Sequence, residues 1–239
     1  MNSIPLRKTT RLLASSLAVS ALMLPLLASA QNLLNNGSFE TADCATRVAG
    51  VGTACTGNVS SGQWAVFKNI PGWTTVSGAG IEIRDNWAGT AQNGSNFVEL
   101  DSHGMPGSNN SLMQQVFSST SAQMQLSFWY AARAGTAAHT NGIEVWWNGQ
   151  NVSSLLTPNP ANGSTNTSWI QYTLALNGNV GHNTIGFKAV GTDDTYGGSL
   201  DNISISTPVP EVGTLSMMLA GLGAVGFVAR RRRAQLKPS

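Results

Sequence analysis

The middle of the chain consists of short β-rich runs separated by clusters of Gly, Asn and Ser, and few stretches keep the period of a helix. Between residues 124 and 130, every second residue is apolar and lies on one face, and residues 170–176 do the same. Alternation over many short segments is typical of antiparallel sheets, so the sequence predicts an all-β sandwich of two sheets. The predicted strands are 80–84, 96–101, 111–117, 124–132, 142–148, 151–156, 168–176, 183–190 and 199–206.

The same pattern predicts one turn and the orientation of two tryptophans. Asn148-Gly149 favours a tight two-residue hairpin turn. Trp146 and Trp147 are adjacent in a strand, so they point to opposite faces of the sheet. If Trp147 belongs to the apolar face, Trp146 lies outside beside Glu144.

Residues 1–30 are typical of an export signal. Three basic residues precede the uncharged run LLASSLAVSALMLPLLASA, and Ala28-Ser29-Ala30 is a cleavage site of small residues. The sequence therefore predicts export and a mature chain that begins at Gln31. A retained membrane anchor is the alternative, and the cleavage site argues against it.

The C-terminal end carries a second apolar run. Residues 212–229 contain no charged side chain and would reach about 27 Å as a helix, close to the thickness of a hydrocarbon core. Four arginines follow at once, and arginines beside a span favour the cytoplasmic side. The run predicts a transmembrane helix with the body of the protein outside the membrane. A buried core helix of this length is the alternative.

Residues 207–239 resemble the PEP-CTERM sorting signal of Gram-negative bacteria, in which a VPEP-like motif, an apolar helix and an arginine cluster follow one another. The matching elements are Val209, Pro210, Glu211, the run 212–229, Arg230, Arg231, Arg232 and Arg233. Val212 stands where the family usually has its second proline. The resemblance implies that an exosortase, a membrane-embedded protease, processes the tail at the inner membrane. The body would then reach the cell surface or the extracellular matrix.

The charge of the body excludes a nucleic-acid partner. Of the 13 Lys and Arg residues, three lie in residues 1–30 and five in the tail, which leaves five scattered through the body. Ten of the 11 acids lie in the body, so it is net acidic and lacks the basic patch that nucleic-acid recognition requires. Residues 31–206 are long enough for one domain with a buried core.

Cys44 and Cys55 are the two cysteines of the chain. Because an exported protein meets an oxidising environment, two cysteines this close predict a disulfide. A metal site is the alternative, but two thiolates without a neighbouring histidine are too few ligands.

The order of several motifs in the body resembles the galactose-binding-like jelly rolls, a group that includes many carbohydrate-binding modules. The motifs are NLLNNGSFE (32–40), IPGW (70–73), GIEI (80–83), NFVELD (96–101) and SLDNISI (199–205). The resemblance implies a two-sheet jelly roll of about eight to ten strands.

Glu40 and Asp201 are the candidate metal ligands. In a strand, Asp201 shares a face with Ile203 and Ile205, and a carboxylate on the core side needs a partner or a metal. Calcium takes about six to eight oxygen ligands. In the resembled modules, the acid of the first motif and the aspartate of the last strand hold a structural calcium. These acids correspond to Glu40 and Asp201, with Asn36 adding a carbonyl oxygen; two carboxylates in water at strand ends are the alternative.

The tryptophans are the candidate sugar contacts, because an exposed indole suits the apolar C–H face of a sugar ring. All seven lie in the body. Trp87 lies between two predicted strands, and loops carry binding sites. Trp146 is the second candidate, as the outward member of its pair. Packing in the core or at its rim is the alternative for each tryptophan.

A catalytic site is the weaker hypothesis. Glu82, Glu99, Asp101 and Glu144 offer carboxylates for glycoside hydrolysis, but the sequence does not give their separation. The histidines lack metal-ligand spacing, and no serine nucleophile elbow, CxxC pair or phosphate loop is present. The sequence favours a noncatalytic surface protein that binds exopolysaccharide. The alternatives are a structural matrix protein without a defined sugar ligand and a polysaccharide-acting hydrolase or lyase.

Overall fold

The structure is a computed structural model that describes residues 31–104, 107, 109–152, 168–208 and 212–235. The predicted export signal (1–30) and the sorting residues 209–211 lie outside these ranges, so the structure tests neither of them. The chain divides into two units. Ser29–Val209 forms one of them, and the C-terminal helix belongs to the other.

The strands of the described residues form two antiparallel sheets. The first sheet has the spatial order β1 (Arg47–Gly52), β2 (Trp64–Phe67), β5 (Ile81–Asp85), β6 (Asn96–Glu99), β13 (Ser199–Ser206), β8 (Gln123–Ala131) and β11 (Ile170–Asn177). The second has the order β10 (Gln150–Asn151), β9 (Ile143–Trp147), β12 (Gly181–Ala189), β7 (Leu112–Ser119), β4 (Trp73–Ser77) and β3 (Asn69–Ile70). The chain crosses repeatedly between the sheets, as from β8 to β9 and from β12 to β13, so the predicted antiparallel jelly roll is confirmed.

Each predicted run overlaps an observed strand, the run 151–156 only at Asn151, whereas β1 to β4 have no counterpart in the prediction. These four strands are short, and β1 and β4 mix Gly, Thr and Ser with apolar residues, so no alternation stands out. They raise the number of strands in the described ranges to 13, above the number that the resemblance implied. For the run 151–156, the described part ends at Val152.

The core lies between the sheets and is built by the alternating residues. On β8, every second residue from Met124 to Tyr130 is at most 3 % exposed, as the pattern predicts. On β11 the pattern holds only in part, since Leu176 is buried but Ile170 is 47 % exposed. The reason is that β11 is an edge strand of the first sheet, with β8 on one side.

The predicted hairpin turn is confirmed between β9 and β10. Asn148 and Gly149 have φ values of 48° and 81°, and Trp147 pairs directly with Gln150. Positive φ at both central residues is the geometry of a type I′ turn, which asparagine tolerates and glycine adopts without strain. Trp147 is buried and Trp146 lies on the outer face, where its Nε1 donates to Glu144 Oε2 at 2.9 Å.

The C-terminal helix spans Val212–Gln235. It continues through the arginines instead of ending before them, because arginine is a good helix former. Within the described residues, no helix combines the length and the apolar character that a membrane crossing requires. The predicted helix is therefore confirmed, and its assignment as a transmembrane span at 212–229 is not.

Cys44 and Cys55 form the predicted disulfide, with their Cα atoms 5.4 Å apart. The bond joins the short 3₁₀ helix Cys44–Thr46 to the segment that follows the edge strand β1. Closing a loop of about 12 residues contributes roughly 3 kcal/mol if loop entropy alone is counted. The disulfide thus stabilises one margin of the first sheet.

Candidate functional site

The loop 86–95, which connects β5 to β6, is held by the two acids that the sequence singled out. Asp201 Oδ2 accepts the backbone N–H groups of Gln92 and Asn93 at 2.8 and 2.9 Å. Glu40 Oε1 accepts those of Ser95 and Asn96 at 3.0 and 2.8 Å. Glu40 precedes β1 and Asp201 lies in β13, so residues from opposite ends of the domain meet at one loop.

Trp87 lies on this loop with 45 % of its surface exposed. A further contact fixes the loop, because Trp169 Nε1 donates to the Thr90 carbonyl at 2.9 Å. The Trp169 ring in turn meets Phe97 edge-on, with the ring centroids 5.9 Å apart. The exposed indole is therefore presented by a backbone that is hydrogen-bonded at several points.

Glu40 and Asp201 have surroundings that fit a cation. Burial raises the pKa of Asp201 to about 7, against three backbone N–H groups that lower it, and the Glu40 charge adds to the rise. Beside Glu40, the buried Oδ1 of Asn96 has no hydrogen-bond donor. The Nδ2 of Asn96 donates to the Phe39 carbonyl at 3.0 Å, which fixes the orientation of the amide. Two carboxylates and an unpartnered amide oxygen are ligands of the kind that calcium takes.

Asn36, the third predicted ligand, makes other bonds. Its carbonyl accepts the indole N–H of Trp73 and the N–H of Phe39, each at 3.2 Å. Its side-chain Nδ2 donates to the Thr41 carbonyl, and its Oδ1 accepts the Thr41 N–H. The unpartnered oxygen belongs instead to Asn96, which no sequence pattern distinguishes from the other asparagines. Among the residues that the structure describes, no three His, Cys, Asp or Glu side chains converge to hold a metal.

An ion-pair network that the sequence did not predict lies on the outer side of β5 and β6. Glu82 and Arg84 alternate with core residues of β5, yet both are fully buried. Glu82 lies directly opposite Glu99 on β6, and two like charges in that position destabilise a strand pair. Arg84 compensates them, because its Nε is 2.8 Å from Glu82 Oε1 and its Nη2 pairs with Glu99 Oε2.

Side chains from two loops complete this network at its rim. Arg133 Nη1 lies 3.1 Å from Glu99 Oε2, and His103 Nδ1 lies 2.9 Å from Glu82 Oε2. Burial by itself would raise the pKa of Glu82, but the Arg84 charge and the His103 hydrogen bond hold it below its ordinary value. Glu82 is therefore a paired carboxylate rather than a proton donor.

A cleft of 290 Å³ opens beside this network. Its lining includes Thr136, His139, Asp194 and Tyr196. Tyr196 is 49 % exposed, and the Arg133 guanidinium lies 4.6 Å from its ring centroid. Tyr196 is thus an exposed aromatic side chain next to polar groups, which the sequence analysis did not single out.

The second predicted sugar contact, Trp146, belongs to a different sheet from the strand that precedes Trp87. It lies half-buried on β9 in the second sheet, opposite Gly186 of β12, whereas Trp87 follows a strand of the first sheet. Its indole N–H is already bonded to Glu144. The structure therefore does not bring the two candidates into one site.

The identity of the C-terminal tail follows from comparison with known families. Residues 208–233 match the model of the PEP-CTERM protein-sorting motif. The C-terminal segment is a PEP-CTERM protein-sorting motif. Such a signal marks a chain for export to the cell surface, as the sequence predicted. The helical part of the PEP-CTERM segment contains the arginine cluster, in which Arg230 and Arg231 are exposed.

The chain is similar to parts of two large toxins. It is 32 % identical over 176 residues to the multifunctional-autoprocessing repeats-in-toxin of Vibrio vulnificus. The aligned region covers 73 % of this chain and 3 % of the toxin. The chain is 31 % identical over 139 residues to the protein of that name from Vibrio cholerae serotype O1, which covers 55 % of this chain and 3 % of the toxin. The chain thus spans about 3 % of the length of these curated relatives.

Solved structures with a similar course of the chain include two kinds of domain. A family 35 carbohydrate-binding module from Paenibacillus barcinonensis has a TM-score of 0.38 and 21 % identity, covering 57 % of this chain and 94 % of that one. The K1 cleaved adhesin domain of Lys-gingipain from Porphyromonas gingivalis W83 has a TM-score of 0.40 and 16 % identity, covering 61 % and 98 %. Both TM-scores lie below 0.5, and no ligand of this chain follows from them.

Proposed function

We propose that this chain is an exported cell-surface protein that binds carbohydrate without catalysis, with Trp87 as its main sugar contact. The observation that carries the proposal is an exposed indole on a loop that Asp201, Glu40 and Trp169 hold in place. A flat aromatic surface suits the C–H face of a sugar. A fixed loop also loses little conformational freedom when a ligand binds, so more of the contact energy is retained as affinity.

A calcium ion between Glu40 and Asp201 is part of the proposal. When bound, it would supply positive charge that neutralises the two carboxylates. The carboxylates themselves orient the loop through four backbone N–H groups. The ion is therefore expected to stabilise the loop that carries Trp87 rather than to take part in a reaction.

The positions of the other acids support a noncatalytic role. Glycoside hydrolysis requires one carboxyl group that can donate a proton beside a second that is free to act. Glu82 and Glu99 share Arg84, and Glu144 accepts a hydrogen bond from Trp146. Burial raises the pKa of Asp101 to about 6, but its side chain has no exposed surface for a substrate to reach.

Replacing Trp87 by alanine should weaken binding to polysaccharide about tenfold or more, as expected for an aromatic anchor. Trp87→Phe keeps an aromatic face and should retain most of the affinity. The assay is affinity electrophoresis of the full-length protein through gels that contain galactan, mannan, xylan, alginate or exopolysaccharide from the producing cells. Because the body is net acidic, the neutral polymers should retard it more than alginate does.

Trp146→Ala is the comparison variant for this assay, and it should bind like the wild type. Loss of binding in Trp146→Ala but not in Trp87→Ala would move the site to the second sheet. If no polysaccharide retards the wild-type protein although it is retained in the matrix, the alternative role of a structural matrix protein is correct.

The second part of the proposal concerns sorting by an exosortase-type membrane protease of a Gram-negative cell. The tail should be removed during transport, so mass spectrometry of surface material from an exosortase-positive host should find the body without Arg230 to Arg233. A matched strain that lacks the exosortase should keep the full-length chain in its inner membrane. Full-length protein alone in both strains would contradict processing, and Val212→Pro would then test whether the departure from the motif is responsible.

A further inference from the structure

Asp101 and Asn110 face each other in a single antiparallel bridge outside the strands. Directly opposed residues of such a bridge place their side chains on the same side. Both side chains hold the loop 191–196. Asp101 Oδ2 accepts the N–H groups of Asp194 and Tyr196, each at 3.1 Å, and Asn110 Nδ2 donates to the Gly191 carbonyl at 2.9 Å.

The remaining oxygen of each side chain is buried and has no hydrogen-bond donor. These atoms are Asp101 Oδ1 and Asn110 Oδ1. The Asn110 amide cannot be turned over to relieve this, because its Nδ2 must face the Gly191 carbonyl. Buried polar atoms in folded proteins nearly always have a partner, so two unpartnered acceptors on opposed residues indicate a missing hydrogen-bond donor or cation.

A third oxygen ligand lies at the same place. The Asp194 backbone N–H is bonded to Asp101 Oδ2, and Asp194 Oδ1 accepts the N–H of Tyr196 at 3.1 Å. The Asp194 charge helps to raise the pKa of Asp101. The two nearby guanidinium groups pair with other carboxylates, Arg84 with Glu82 and Glu99, and Arg133 with Glu99, although Arg84 Nη1 has no hydrogen-bond acceptor. Within the described part of the chain, neither Asp101 nor Asp194 forms a salt bridge.

A proton shared by the two aspartates would relieve their repulsion but would leave Asn110 Oδ1 without a partner. A cation satisfies all three oxygens at once. Calcium takes carboxylate, amide and water oxygens at flexible geometry, so two carboxylates and one amide suffice to begin its shell. Asp194 also lines the 290 Å³ cleft, which gives the ion an entry path and room for water ligands.

We propose that Asp101, Asn110 and Asp194 form a second calcium-binding site, distinct from the one expected at Glu40 and Asp201. The ion ties the loop 191–196, which carries Tyr196, to the bridge beneath it. The proposal does not depend on carbohydrate binding, and three protein ligands place it among the weaker, extracellular type of calcium site.

The test is a calorimetric titration of the full-length, chelator-treated protein with calcium chloride. Asp194→Asn should bind one calcium ion fewer per chain than the wild type. Asp193→Asn is the matched control, because Asp193 lies on the same loop but caps the N–H of Asn109 at 3.0 Å. It should bind as many ions as the wild type. The difference between Asp194→Asn and Asp193→Asn should persist in an Asp201→Asn background, which separates the two sites.

Equal stoichiometry for the wild type, Asp194→Asn and Asp193→Asn would overturn the proposal.

Discussion

Replacing Arg84 by methionine should destabilise the protein by about 3–5 kcal/mol, which corresponds to a fall of roughly 6–20 °C in the melting midpoint. The substitution leaves Glu82 and Glu99 buried and directly opposite each other without the guanidinium that pairs with both. The measurement is thermal unfolding of the full-length protein followed by circular dichroism. Arg47→Met is the control, because within the described residues the Arg47 side chain bonds to two backbone carbonyls alone, and its loss should cost about 1 kcal/mol.

The loss in Arg84→Met should depend on pH in a direction that identifies its cause. In the wild type the pKa of Glu82 is lowered, so its contribution is present above the ordinary carboxyl range and is lost as the pH falls through the lowered value. Without Arg84, burial dominates and raises the pKa of Glu82, so the variant loses stability as the pH rises above that range. The difference in the free energy of unfolding between the wild type and Arg84→Met should therefore be large at pH 7 and become smaller towards pH 4. A difference in the free energy of unfolding that does not change with pH would contradict this account.

Removing calcium should lower the melting midpoint by roughly 5–11 °C if Glu40 and Asp201 share an ion. An ion that binds the native state alone stabilises it by about 2.7 kcal/mol at 100 times its dissociation constant. In a domain of this size each kcal/mol shifts the midpoint by roughly 2–4 °C. The comparison of EDTA with calcium is best made in the Asp194→Asn background, where the second proposed site does not contribute.

Asp201→Asn and Glu40→Gln should abolish this calcium response in that background. These variants are preferable to alanine, because each keeps an oxygen that can accept the loop N–H groups now bonded to the carboxylates. The decisive quantity is the difference between the melting midpoint of each variant in calcium and its midpoint in EDTA. The Asp194→Asn protein with Glu40 and Asp201 intact is the reference. If it melts at the same temperature in calcium and in EDTA, with metal analysis confirming depletion, the two acids act only as anchors of the loop.

Much of the fold was predictable because the responsible interactions are local. Period-two alternation identifies β8 without knowledge of its neighbours, since burial on one face of a strand selects every second residue. The turn at Asn148-Gly149 depends on the backbone preferences of two adjacent residues. The sorting motif is a contiguous segment that is recognised from its order of residues.

The candidate sites were predictable only in part. Glu40, Asp201 and Trp87 were chosen separately, and their meeting at the loop 86–95 depends on how β13 lies beside β6 and β8. Asn96 carries the unpartnered oxygen there, and its local sequence gives no sign of it. The proposed ligand set brings Asp194 to Asp101 and Asn110, which precede it by 93 and 84 positions, and no spacing rule detects such a set.

The sequence by itself determined the class of fold, the disulfide partners and the sorting tail, because each follows from residues that are near one another or that are the sole members of their kind. The tertiary structure alone decided the state of Glu82, Arg84 and Glu99. Alternation places them on the side of the strands away from the core, where water would be expected. Loops from distant parts of the chain cover that side, with the Gly197 N–H reaching Glu99 at 2.5 Å. Which surface of a strand is covered depends on packing between remote segments, and a local pattern carries no information about it.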